Sequence, residues 1–266
     1  LRGSHGARIE GEIKAFEADV EAHKATFEKE PVFLYETGND AAYARLDEMH
    51  VALCELEKTT VKFQELATLF EFLELVAKTE GMVKKMRDDL ILVKKLWDVV
   101  NVTKTTLAEW QTTLWNDINT GTMEEESKTM AKLLKAGLNK RVRDFDTYAG
   151  VDTLLKNFMV TLPAVSELRS PSMRERHWAL LMKITGQTFD MGPKFALSDL
   201  IALELHRFVD DVGEVVDRAT KEDKMEQTLA KLEVTWKSIE FVFTQHRESP
   251  VYLISMKEED FECLED

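Results

Sequence analysis

SPSMRERHWALLMKITGQTFDMGPKFALSDLIALELHR, residues 170–207, is the stretch on which the fold reading turns. Ser172 stands three residues before Glu175, the spacing of a capping box that opens a helix. Pro171 discourages any helix from running in from upstream. Trp178, Leu181 and Met182 then share one helical face and are the candidate core anchors of this segment. Gly186 can take the left-handed conformation that closes a helix. Met191-Gly192-Pro193 is a turn signal, and Ser198-Asp199 offers caps for the next helix. Arg174, Arg176 and His177 flank the tryptophan, so a basic surface beside a large apolar anchor is the candidate docking surface.

Outward from this stretch the apolar spacing stays helical. Ile9, Ile13, Phe16, Val20 and Phe27 form one stripe that Pro31 ends, with a turn at Gly38-Asn39-Asp40. Leu46, Met49, Leu53, Leu56, Phe63, Ala67 and Phe70 predict a helix from about Asp40 to Thr79, roughly 60 Å at 1.5 Å per residue. Gly81 breaks that pattern. Val83, Met86, Leu90, Val93, Trp97, Val100, Leu107, Trp110 and Leu114 make a second long stripe, ended at Asn119-Thr120-Gly121. Thr122 and Glu125 repeat the capping-box spacing. Met130, Leu134, Leu138, Val142 and Phe145 carry the next helix, with a kink expected at Gly150. After Arg207 the stripe resumes, Thr220 recaps it, and Met225, Leu229, Leu232 and Trp236 follow in heptad spacing, Trp236 being a further candidate core anchor. Ile239, Phe241 and Phe243 then alternate as a strand does, Glu248-Ser249-Pro250 turns, and residues 251–254 return.

These patterns predict a mainly α fold of elongated multi-helix bundles with a small β-hairpin near the C-terminus. Residues 1–8, opening Leu-Arg-Gly-Ser-His-Gly, read as a cloning leader. Residues 9–80 form an N-terminal helical hairpin or bundle, 81–169 a long-helix bundle, and 170–266 a subdomain centred on Arg176-His177-Trp178 with the terminal hairpin. The sequence ends abruptly at Glu265-Asp266, as an excised piece of something larger would. Gly81, Gly121, Pro163 and Pro171 are candidate hinges between stiff segments.

Composition narrows the function classes. Asp and Glu outnumber Lys and Arg 49 to 35, a net charge of −14. Such a chain repels phosphate backbones and anionic lipid, so neither nucleic acid nor membrane is the expected partner. Charged residues interrupt every apolar run before it reaches transmembrane length. Cys54 and Cys263 lie far apart without metal-like spacing, and two free thiols are the simpler reading. No glycine is followed by lysine, so the phosphate-cradling GxxxxGK[ST] loop is absent from the sequence. There is no HExxH, and the histidines are scattered; His177 beside Trp178 and His206 beside Arg207 are the ones whose setting suits a docking surface. The acidic runs 124–126 and 258–260 read as solvated faces or helix-start charge. No catalytic, cofactor or metal site is expected.

The segment SELRSPSMRERHWALLMKITGQTF, residues 166–189, resembles the "LR…MR.RHW..LM" signature of the linker region of dynein heavy chains. The resemblance extends upstream through WNDINTGTMEEESKTMAKLLK from Trp115 and through Leu155-Lys-Asn-Phe158 to Leu162-Pro163. Downstream it continues through FALSDLIALEL, residues 195–205, and the helix from Ala219 to Trp236. It is specific from about Trp97 onward. The 186–195 loop varies within the family, so the carry-over there is weak. FVFTQHRESPVYLISMKEEDFECLED, residues 241–266, is more similar to ciliary and flagellar chains than to the cytoplasmic form.

The resemblance implies a lever lying across a ring of AAA+ modules of the same polypeptide. Those modules would bind ATP and Mg and hydrolyse ATP. Bending of the lever would drive movement toward microtubule minus ends, in the cytoplasm of a cilium or flagellum, within the axoneme. Other dynein subunits would be further partners. ATP sites and the microtubule-binding stalk would follow this region, and the tail would precede it. The alternative reading is a spectrin-like scaffold or tethering rod with no motor role.

Overall fold

The computed structural model describes residues 2–71, 73–255, 258 and 261. Cys263 and two members of the 258–260 acidic run, Glu259 and Asp260, lie outside them. The described chain contains eight α-helices and one antiparallel hairpin near the C-terminus, as the periodicity predicts. It divides into two compact units. The first comprises Leu1–Ser166 and Phe189–Val209, the second Glu167–Thr188 and Asp210–Asp266.

The first unit is built on three long helices: α1 (Arg2–Phe27), α2 (Asn39–Phe70) and α3 (Leu73–Gln111). Helix α3 packs against both of the others. Ile9, Ile13, Phe16, Val20 and Phe27 of α1 are all buried, as are Val83, Met86, Leu90, Val93, Trp97, Val100 and Leu107 of α3. Ile9 and Ile13 join Ala67 and Val76 in a smaller cluster, while Phe16, Val20 and Phe27 share one larger core with the α3 stripe from Val83 to Val100. Helix α1 begins at Arg2 and so includes residues 2–8.

Trp97 sits at the centre of this core, fully buried, and its indole Nε1 donates to the Val32 carbonyl at 2.7 Å. That carbonyl belongs to a short 3₁₀ turn, Pro31–Phe33, and also accepts from Thr147 Oγ1 at 3.3 Å. A buried carbonyl outside a helix needs such partners. Charge pairs join the helices at the surface. Lys78 of α3 reaches Glu17 and Glu21 of α1 at 2.6 Å each, and Arg87 of α3 grips Glu57 of α2 through two 2.6 Å bonds. Arg45 of α2 holds the largely buried Glu30 in the same forked way, at 2.7 and 2.6 Å.

Two expected breaks fall elsewhere. Gly81 lies inside α3, which passes through it without interruption. A helical glycine costs about 1 kcal/mol relative to alanine, and burial of Val76, Thr79 and Val83 on either side offsets it. The actual break is at Glu71, which caps α2 in the left-handed region at φ 63° and donates its N–H to the Ala67 carbonyl. Gly150 lies inside α5 (Asp146–Leu168), which continues through it. Its role is close approach: a Cβ there would stand 2.1 Å from Tyr35 Cγ, so only glycine fits against that ring.

Helix α4 (Thr120–Ala136) starts earlier than the Thr122 capping box suggests. The cap is Asn119, whose side chain accepts from the Thr122 N–H at 3.2 Å, and Gly121 lies in the first turn. The helix stops at Ala136, and Val142 is carried on a 3₁₀ turn, Lys140–Asp144. Pro163 is accommodated within α5, and the chain turns only near Pro171. Helix α7 (Leu197–Ile201) is capped by Asp199, which accepts from the Ala196 N–H at 2.9 Å. Trp110 stacks on Phe158 at 5.4 Å, and Trp115 meets Phe195 at 5.5 Å. Both tryptophans are thus packing residues.

The second unit holds α6 (Glu175–Thr185), most of α8 (Val209–Ser238), and the hairpin of β1 (Val242–Gln245) and β2 (Tyr252–Ser255). The strands pair Val242 with Ser255, Phe243 with Ile254, Thr244 with Leu253 and Gln245 with Tyr252. Gly186 closes α6 in the left-handed conformation at φ 70°, as its position predicts. Thr220 does not recap α8. Its hydroxyl bonds back to the Val216 carbonyl at 2.9 Å, and the helix continues.

Candidate functional site

The residues singled out around Trp178 come together on α6, in an arrangement that differs from the expected one. The N-cap of helix α6 is Arg174, not Ser172. The His177 ring supplies the cap: its Nδ1 accepts from the Arg174 backbone N–H at 3.0 Å. Ser172 is drawn away instead, its hydroxyl directed to Asp223 of α8 at 3.3 Å. With Nδ1 accepting, the ring proton is on Nε2, which donates to Glu222 Oε2 at 3.0 Å. His177 is buried, so it belongs to the interior and not to an exposed docking surface.

Both arginines are likewise engaged within the unit. Arg176 gives Nε to Glu222 at 2.6 Å and a terminal nitrogen to Glu226 at 2.7 Å. Arg174 reaches Asp223 at 2.9 Å and the Pro171 carbonyl at 2.8 Å, with Glu226 at 3.7 Å. Arg218, one turn before Glu222 on α8, donates to its other oxygen at 2.8 Å. Forked guanidinium–carboxylate pairs fix direction as well as distance. The result is a brace from α6 to α8, with Glu222 at its node. The acidic residues were missed as a group, although the Arg218-Glu222-Glu226 spacing was a legible helix-face pattern.

The node sets an acid limit on the brace. The hydrogen bonds from Arg218, then Arg176, then His177 hold the Glu222 carboxyl down to about 2, from an ordinary 4.5. A carboxyl lowered on folding stabilises the folded state above its unfolded value, and that stability is lost as pH falls through the folded one. Melting of the second unit should therefore become acid-sensitive between about pH 4.5 and pH 2. Glu222→Gln should flatten that limb in a pH series of thermal melts; an unchanged slope would place the acid sensitivity elsewhere.

The anchors divide. Trp178 and Leu181 are buried, Met182 is half-buried, and Trp236 is half-buried, stacked on Phe241 at 6.4 Å between ring centres. Elsewhere, Cys54 lies in a polar cluster on α2 and α3, 3.7 Å from His50 Nε2 and 3.4 Å from Arg87. Among the described residues no three His, Cys, Asp or Glu side chains converge as metal ligands. None of the described helices is long and apolar enough to cross a membrane. The fold and the brace are those of a helix-packing module.

Residues 83–266 match the family model described as dynein heavy chain, N-terminal region 2. The chain belongs to the dynein heavy chain family. It is 44% identical to "Dynein alpha chain, flagellar outer arm" of Chlamydomonas reinhardtii, across 100% of this chain and 6% of that protein. It is 38% identical to "Dynein beta chain, ciliary" of Heliocidaris crassispina, again across 100% and 6%. With "Dynein axonemal heavy chain 9" of Homo sapiens it shares 34% identity over 95% of this chain and 6% of the human protein. The chain is thus an N-terminal region of an axonemal dynein heavy chain, spanning about 6% of the length of these relatives.

Proposed function

We propose that this region is the lever, or linker, of its heavy chain. It transmits force between a C-terminal AAA+ ring, where ATP and Mg are bound and hydrolysed, and the parts of the polypeptide before it. The output is movement toward microtubule minus ends in the axoneme of a cilium or flagellum. Other dynein subunits and the microtubule are partners of the parent protein, and the ring is the partner of this segment.

The observation that carries the reading is the α6–α8 brace, seated in the part of the chain that the dynein family model matches. A force-bearing element needs its helices cross-linked by directional contacts, so that load moves the helices together. Three carboxylates of α8 meeting Arg174, Arg176 and His177 of α6 have that character. A tethering rod that only separates partners has no need of it.

In the full motor, Arg176→Glu would set like charges against Glu222 and Glu226. Microtubule gliding should slow severalfold while basal ATP hydrolysis stays near the parental rate. The swap Arg176→Glu with Glu222→Arg should restore part of the gliding speed. Gliding at parental speed in Arg176→Glu would favour the tethering role. An equal fall in hydrolysis and gliding would mean that the substitution damages the ring and not the coupling.

A further inference from the structure

Helix α8 changes character at Glu222. Before it, Val212, Val215 and Ala219 are buried. Beyond it the apolar spacing continues without cover: Met225 is 57% exposed and Leu229 63%, with Leu232 exposed as well. Met225, Leu229, Leu232 and Trp236 alternate steps of four and three, the spacing of a seam that receives another helix. Trp236 stacks on Phe241, which extends the apolar line onto the hairpin. By strand alternation Phe243, Ile254 and Tyr252 share the face of Phe241. Phe243 is 59% exposed and Ile254 56%. An isolated two-stranded hairpin is marginal in water, and a continuous apolar surface of this kind marks an interaction site.

We infer that the face running from Met225 to Trp236 and on to Phe243 and Ile254 is the seat of a further helical segment of the same polypeptide, drawn from the part that follows residue 266. The relatives are many times longer than this chain, and the matched region is described as N-terminal, so most of their length lies beyond it. The face is carried by the last described elements, α8, β1 and β2, with Ser255 shortly before Asp266. A following segment reaches it through a connection of ordinary length, typically a median of about 4–6 residues between elements. The four-three spacing selects a helix as the occupant. This inference rests on family membership and not on the lever role, so the two stand or fall separately.

The test compares the 266-residue chain with the full-length heavy chain. Hydroxyl-radical footprinting with mass spectrometry reads Met225, Trp236, Phe243 and Tyr252 directly. Their labelling should fall several-fold in the full-length protein, while Tyr43 and Phe63 in the first unit serve as references. A photo-cross-linking amino acid placed at Leu229 or Phe243 of the full-length chain should capture a peptide that lies after residue 266 of the same molecule. Isotope-mixed preparations separate this from capture of a second copy. Unchanged labelling overturns the inference. So does capture of a second copy, of another subunit or of a segment before residue 266, and so does no capture above a control at exposed Val51.

Discussion

Trp97→Ala should destabilise the first unit by about 3–5 kcal/mol, the range for removing a buried tryptophan. Folding stabilities are typically about 5–15 kcal/mol, so this is a large share of the total. The loss has two parts. The cavity opens where α3 meets the 3₁₀ turn, among residues with no exposure to spare, such as Val93, Leu96 and Val100. The Val32 carbonyl also loses its 2.7 Å partner and keeps only the longer bond from Thr147. Trp97→Phe weights the two differently, since it removes the N–H donor entirely but keeps a six-membered ring and so opens a much smaller cavity. Its cost should be nearer the roughly 1–3 kcal/mol of a lost buried hydrogen bond. Denaturant melts of the three proteins give the order directly. If Trp97→Ala matched the parent, the Trp97 core would not be what holds the first unit together.

Trp178→Ala should be equally costly, about 3–5 kcal/mol, but confined to the second unit. Trp178 and Leu181 are the buried apolar side chains of a short helix. The substitution leaves the His177 cap and the arginine pairs chemically intact while removing the apolar burial beneath them. Surface ion pairs contribute about 0–1 kcal/mol each, so they cannot substitute for it. Hydrogen exchange should show protection lost in residues 175–185 and in the first half of α8, while α1, α2 and α3 exchange as in the parent. Protection unchanged in α6 would show that Trp178 is not an anchor.

The helices were legible wherever burial followed the period. Trp97 was placed correctly by the stripe from Val83 to Leu107, and Trp178 by its spacing to Leu181. Positions that depend on distant partners were not legible. Ser172 matched a local capping pattern, but its hydroxyl is taken by Asp223, which no local rule can foresee. Gly81 looked like a stop because propensity is read residue by residue, whereas the neighbouring burial decides. Glu71 gave no warning at all: Leu69, Phe70 and Leu73 keep the sequence apolar across a left-handed residue. The arginines looked free because their carboxylate partners lie more than forty positions away, as the 46 between Arg176 and Glu222 shows. Heptad spacing marks Met225, Leu229, Leu232 and Trp236 as one stripe but does not say whether it is covered, and in the described chain Met225, Leu229 and Leu232 are exposed.

The interleaving of the two units constrains how the molecule is made. The first unit needs residues 189–209, which are synthesised after the opening residues of the second, 167–188. The second in turn needs α8, which comes after both. On a ribosome adding about 5–20 residues per second, the early helices must wait for their last pieces with apolar surface still open. A stop codon anywhere between residues 167 and 209 would release a chain in which neither unit is whole. Such truncations should therefore be cleared as unfolded protein, and no cut at a single point in the sequence would yield one intact unit beside the other.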